Sequence, residues 1–184
     1  QVFQRREYLN RINVFPVPDG DTGTNMAFTF KTILEATATS PDNRVDDLMD
    51  HVAEAALDAA RGNSGALMAQ YFHGFREAVA GRKKLSPQGF AEAAASGAEA
   101  AWTAMSKPVQ GTLPTVLEDF AAELSRLAGE GVRDIRKLLS LGLERARESL
   151  ANTPNQLAVL KQAGVVDAGG QGFVDLLEGI WTFT

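Results

Sequence analysis

The sequence contains no cysteine, which removes disulfide scaffolds, thiolate zinc sites and cysteine nucleophiles from consideration. Histidine is nearly missing as well. His51 and His73 are too few for histidine-based metal or acid–base chemistry, and both read as helix-surface or partly buried residues. No apolar run approaches the roughly 18 residues needed to span a bilayer, and no signal-like apolar segment is present. These absences fit a protein of the reducing cytoplasm with no membrane span. A positive charge excess is lacking too. The formal net charge is −5, the opposite of the basic footprint that general nucleic-acid binding requires. The one dense basic cluster, Arg82-Lys83-Lys84, lies between Gly81 and Pro87 and reads as a solvated interhelical loop.

What is present is ordinary globular composition, 45% hydrophobic and 22% charged over 184 residues. That length supports one substantial core and not two comfortable domains. The chain opens on Gln1 rather than methionine, so residues 1–184 are expected to be one domain of a longer chain. Apolar and small residues recur at intervals of three and four, which places them on one face of a helix. Leu48, Val52, Ala55, Ala56 and Ala59 do so over 46–61. Leu67, Met68, Tyr71, Phe72, Phe75 and Val79 do so over 64–79, and Phe90, Ala94, Ala98, Ala101, Trp102 and Met105 over 87–105. Ser86-Pro87 reads as an N-cap followed by a first-turn proline. Further helices are expected over 3–12, 24–37, 115–127 and 135–151, with a short one near 157–162 and a last one from 172 to the end. Nothing alternates as a strand does. Val14 to Val17 is apolar, but Pro16 and Pro18 make it an extended connection. The expected fold is all-α, a single-domain bundle or closed arrangement of about eight helices.

Four glycine-rich junctions break this pattern. Ordinary helical connectors do not need such density, whereas glycine suits backbone that must approach a ligand or adopt positive φ. The first runs Asn13-Val14-Phe15-Pro16-Val17-Pro18-Asp19-Gly20-Asp21-Thr22-Gly23-Thr24-Asn25-Met26. Two carboxylates one residue apart repel unless a cation or proton intervenes, and hard oxygen ligands with amide and hydroxyl neighbours suit Mg²⁺. Thr24 is expected to cap the next helix, whose first amides then face a phosphate. An Asp-Gly turn with a threonine cap has the same residues and stays open as a purely structural alternative. An EF-hand does not fit, because Phe30 stands where its closing glutamate belongs.

The second junction, Arg61-Gly62-Asn63-Ser64-Gly65, opens a helix and is either a phosphate cradle or a helix–helix turn. It is not a Walker A loop, since no Gly-Lys-Ser/Thr ending occurs. The third is Lys107-Pro108-Val109-Gln110-Gly111-Thr112-Leu113-Pro114-Thr115. The fourth, Gly164-Val165-Val166-Asp167-Ala168-Gly169-Gly170-Gln171-Gly172, is flanked by core-like residues and reads as a buried, ligand-shaped loop.

In this order the four junctions resemble the ATP-binding domain of bacterial fatty acid kinase, which is similar to the nucleotide-binding L subunit (DhaL type) of dihydroxyacetone kinases. The resemblance runs from about Leu9 to Gly179. It implies an antiparallel barrel of eight helices with ATP or ADP and Mg²⁺ held in loops at one end. It places Asp19 and Asp21 on the magnesium, with Asn13 standing where dihydroxyacetone kinases have a third aspartate. It places Thr24, Asn25, Asn63, Ser64, Gly65 and Thr112 by the phosphates or nucleotide, and Gly111, Asp167 and Gly169 near ribose and base. Leu113 and Met68 become apolar neighbours for adenine, with core packing the alternative for Met68. Arg61 becomes a cation that neutralises charge on the transferred phosphoryl group. The implied reaction phosphorylates the carboxylate of a fatty acid held by a separate carrier protein, with further domains of the native chain engaging that carrier. A dihydroxyacetone kinase L subunit and a non-catalytic nucleotide-binding module are the alternatives.

Overall fold

The computed structural model describes residues 1–38 and 44–183. The described residues form α1 (Val2–Arg11), α2 (Thr22–Thr37), α3 (Val45–Ala59), α4 (Gly62–Val79), α5 (Pro87–Thr103), α6 (Leu113–Gly129), α7 (Ile135–Gln156), the short α8 (Ala158–Ala163) and α9 (Ala168–Phe183). None is long and apolar enough to cross a membrane. Each long helix packs on the next in sequence, and α9 returns against α1, α2, α6 and α7. Eight long helices therefore close a ring, as expected, and α8 only links α7 to α9.

At one end of this ring the starts of α3, α5 and α7 are satisfied locally. Ser86 caps α5 by accepting from the Gly89 amide at 3.0 Å, with Pro87 behind it at the first helical position. Asp134 caps α7 by accepting from the amides of Arg136 and Lys137. The first amides of α3 donate to the carbonyls of Lys83 and Arg82. The basic 82–84 loop is thus a backbone cap as well as a solvated turn, and Arg82 also pairs with Glu92.

Two kinds of boundary differ from the periodicity, one helix end and four helix starts. Helix α7 continues past 151 through Pro154, although proline removes the N–H that would reach the Leu150 carbonyl. The Thr153 hydroxyl donates to that carbonyl at 2.7 Å instead, so the helix runs on. Helices α2, α4, α6 and α9 each begin two to four residues before the positions expected at 24, 64, 115 and 172. The glycine-rich residues read as loop are largely first turns of helix. They are glycine because neighbouring helices touch them: a Cβ on Gly23 would lie 2.2 Å from the Arg6 carbonyl oxygen, and one on Gly172 2.4 Å from the Met26 sulfur.

The core is a chain of edge-to-face rings. Phe30, Phe72, Tyr71, Phe173, Phe120 and Phe90 follow one another at centroid separations of 5.4–6.5 Å, a geometry that adds to the area they bury. Met68 is fully enclosed within this core. A charged tie crosses it where Arg5 on α1 meets the buried Asp175 of α9 at 2.7 Å. Helices α4 and α5 also meet closely, and a Cβ on Gly97 would lie 2.7 Å from the Tyr71 carbonyl oxygen and 2.9 Å from its ring. Gly97→Val is expected to lower unfolding free energy by about 1–3 kcal/mol through overpacking, read as a reduced urea midpoint with an unchanged m-value.

Candidate functional site

Because successive helices alternate in direction, the starts of α2, α4, α6 and α9 gather at the end of the ring opposite the locally capped starts. The contrast in capping is sharp. The N-cap residues of α2, α4 and α6 are Asp21, Arg61 and Thr112, and none makes a side-chain capping bond. Thr112 instead donates its hydroxyl to the Val109 carbonyl at 2.7 Å. First-turn N–H groups without a cap carry partial positive charge and are open to an anion.

Two adjoining cavities lie against these starts. The smaller, about 120 Å³, is bounded by Asn13, Asp19, Asp21 and Asn25 on one side and by Gly62, Asn63 and Ser64 on the other. The larger, about 460 Å³, takes in Thr112, Leu113, Asp167 and Gly169 together with Leu67 and Met105. Phe15, Pro16, Asn63 and Ser64 border both, so the first turn of α4 stands at their junction. Asp19 and Asp21 are exposed, and Asp21 sits at a cap position without using its carboxylate there. Asn13 is buried and donates its amide N–H to Asp19 Oδ1 at 2.7 Å. No group of three or more acidic or histidine side chains that could hold a metal ion occurs among the described residues. The donor set is therefore two carboxylates with neutral oxygens. That set suits Mg²⁺, which keeps several waters and shares phosphate oxygens.

Ten of the residues singled out from sequence thus border the cavities: Asn13, Asp19, Asp21, Asn25, Asn63, Ser64, Thr112, Leu113, Asp167 and Gly169. Four others have different surroundings. Thr24 is the third residue of α2 rather than its cap, and its amide and hydroxyl are both bonded to the Asn10 side chain. Gly65 is buried with the Thr29 hydroxyl 3.3 Å from where its Cβ would be. Gly111 takes φ +80° with no room for a side chain beside Gln156 and Thr153, and its amide donates to Thr115 Oγ1. Arg61 stacks its guanidinium 3.8 Å above the Phe28 ring, outside the residues that line either cavity.

The sequence reading also passed over several lining residues. Leu67 and Gln70 share the face of α4 that carries Asn63 and Ser64, at helical spacing, and a helical wheel would have found them. Lys107 lies inside the third motif. Met105, expected from its spacing to close the stripe of the 87–105 helix, lies just beyond α5 and lines the larger cavity instead.

Asp167 joins two helix starts. Its carboxylate accepts from the Gly170 amide at 2.7 Å and also from the amides of Leu113 and Gly169, while its own N–H donates to Thr153 Oγ1. Burial pushes its pKa from 3.8 up to about 6, partly opposed by those backbone donors. The folded protein then keeps a proton, between about pH 4 and 6, that the unfolded chain releases. This contribution to stability is complete below pH 3.8 and is lost as pH rises through about 6. Asp167→Asn, which keeps an acceptor at the cap, is expected to remove that slope, a difference on the order of 3 kcal/mol across the window. Urea midpoints of both proteins from pH 4 to 7 measure it.

Comparison with known proteins shows the family. Residues 16–182 match the DAK2 domain. An uncharacterized protein of Staphylococcus epidermidis is 42% identical over 173 residues, covering 94% of this chain and 31% of that protein. An uncharacterized protein of Staphylococcus aureus is 39% identical over the same length and the same shares. The chain spans about a third of the length of these relatives. A match reaching from the carboxylate loop to the last turn of α9 leaves no element of the ring unaccounted for except α1, and the protein belongs to the DAK2 domain family.

Proposed function

We propose that this chain is the Mg·ATP-binding domain of a phosphotransferase of the fatty acid kinase type. The observation that carries the proposal is the small cavity. In it two carboxylates, Asp19 and Asp21, border the same space as the first turn of α4, whose N-cap residue makes no side-chain capping bond. A carboxylate pair alone attracts cations, and an open helix start alone attracts anions. Opposed across one cavity, they suit a metal–polyphosphate pair and neither ion by itself.

The phosphates then lie at Gly62, Asn63 and Ser64, and the nucleoside extends into the larger cavity, with Leu67, Met105 and Leu113 as its apolar walls. Magnesium, when bound, neutralises the β- and γ-phosphate oxygens. Asp19 and Asp21 hold it there, and the α4 amides and the Asn25 side chain orient the γ-phosphoryl group. An acceptor carboxylate oxygen attacks the γ-phosphorus while the bond to the β–γ bridging oxygen breaks, leaving ADP and an acyl phosphate. No protein nucleophile is required, since positioning and charge neutralisation are the catalytic work. The acceptor is the carboxylate of a fatty acid presented by a separate carrier protein, and regions of the longer chain outside residues 1–184 engage that carrier. A small triose acceptor would make the chain a dihydroxyacetone kinase L subunit instead, and acyl-phosphate formation with a loaded carrier separates the two.

Thermal unfolding with Mg²⁺ and ADP is the direct test. At one hundred times Kd the folded state gains about 2.7 kcal/mol by linkage, which for a domain of this size raises Tm by roughly 5–10 °C. Asp21→Ala and Asp19→Ala are expected to keep the parent Tm without ligand and lose the magnesium-dependent rise. A rise that persists in both variants, or none in the parent at saturating nucleotide, would sink the proposal.

A further inference from the structure

The loop that carries Asp19 and Asp21 is tied by two asparagines, Asn10 in the last turn of α1 and Asn13 two residues beyond that helix. On its first side, Asn13 donates to Asp19 Oδ1 at 2.7 Å. On its second side, Asn10 donates through Nδ2 to Thr24 Oγ1 at 3.0 Å and accepts from the Thr24 amide at 3.1 Å. Thr24 stands three residues beyond Asp21, in the first turn of α2. The two asparagines are themselves three residues apart, and the Asn13 amide donates to the Asn10 carbonyl. Between the ties, Gly20 crosses over the Asn10 carbonyl with φ +66°, and Gly23 brings the α2 backbone against that of Arg6. Helix α1 is in turn held to α9 by Arg5 and Asp175 at 2.7 Å.

A loop with glycine between two carboxylates would be expected to splay when no cation offsets their repulsion. Here the splay is opposed by three side-chain hydrogen bonds, one of them to a charged oxygen and so among the stronger kind. We propose that Asn10 and Asn13 are positioning residues, a clamp that sets the separation of Asp19 and Asp21 before the cation arrives. The clamp rests on the assignment of Asp19 and Asp21 as the cation's carboxylates. It gives Asn13 a role different from that of a metal ligand: its amide N–H faces the carboxylate, and its effect is present in the metal-free protein. It also assigns a function to Asn10, which no motif marked. Preorganised ligands lose less freedom on binding, so the cation's affinity rises without a further ligand.

The test uses Asn10→Ala, Asn13→Ala and Asn10→Asp, the last retaining an acceptor for the Thr24 amide and hydroxyl. Amide hydrogen exchange is followed in the metal-free proteins, and Mn²⁺ binding is measured by electron paramagnetic resonance with ADP present. Each alanine variant is expected to speed exchange across residues 20–25 about tenfold while α5 and α6 keep parent rates. Each is also expected to weaken Mn²⁺ binding by about 10- to 100-fold, the scale typical of residues that orient metal ligands. Asn10→Asp should restore both. Weaker Mn²⁺ binding with parent-like exchange in Asn13→Ala would overturn the clamp and make Asn13 a ligand. Faster exchange throughout α1 and α2 with unchanged Mn²⁺ affinity would overturn it in favour of simple helix packing. A parent protein that binds no Mn²⁺ with ADP would overturn the cation assignment and the clamp's purpose with it. That failure is recognisable apart from the others, because exchange is read without metal.

Discussion

Every α-helix starts with N–H groups that have no partner inside the helix, and in this protein four such starts share one end of a closed ring. Satisfying them within a small volume is the constraint on which the rest of the site depends. The structure meets it unevenly. Asp167 serves the starts of α6 and α9 with a single buried carboxylate. Asn10 serves one amide of α2 from the neighbouring helix. The first turn of α4 receives no side-chain cap from Arg61, and there the two cavities meet. At the opposite end the same problem is closed locally by Ser86, Asp134 and the carbonyls of Arg82 and Lys83. A binding site thus arises where backbone satisfaction is left for something else to complete.

Bringing helix starts this close requires residues without side chains. Gly169 is an example: a Cβ there would lie 2.9 Å from the Ser64 hydroxyl and 3.1 Å from Leu113 Cβ, atoms of two other helices. Glycine density at the junctions therefore reflects helix-to-helix contact as much as contact with a ligand. The two uses are compatible, since the packing that excludes side chains also turns the open amides toward the cavity. The carboxylates of Asp19 and Asp21 face this cluster of positive helix ends. Together they make a field suited to a cation and a polyphosphate side by side.

The DAK2 domain match runs from residue 16 to 182 and so takes in α2 to α8 and nearly all of α9. The ring is a continuous core with its site at one end, so the opposite end and the flanks are free to carry connections. The matched relatives are about three times the length of this chain, which leaves the acceptor and its handling to other regions in the proposed reaction. What the ring itself offers is a frame on which a loop with two acidic residues is held by Asn10 of α1 and by Asn13 just beyond it.

The sequence by itself determined the helices, their closure into one domain and the family. Spacings of three and four survive as buried stripes on α2 to α7 and α9, with Leu48 of the α3 stripe exposed, and the motif order is specific enough to locate most of the cavity wall. Periodicity could not mark where helices start, because glycines and polar residues in a first turn look like loop until a neighbouring helix is known to press on them. Helix α7 runs past the expected end at 151 because the Thr153 hydroxyl donates to the Leu150 carbonyl that Pro154 leaves open, a local polar bond that apolar spacing does not record. Only the tertiary structure decided that Arg61 stacks on Phe28, that Gly65 and Gly111 are packing positions, and that Leu67, Gln70 and Met105 line the cavity. It alone revealed Asn10 and Asn13 as the ties of the acidic loop. Hydrophobic periodicity is written along a single helix, whereas these roles depend on which helix ends face one another across the ring, and that is settled only when the ring closes.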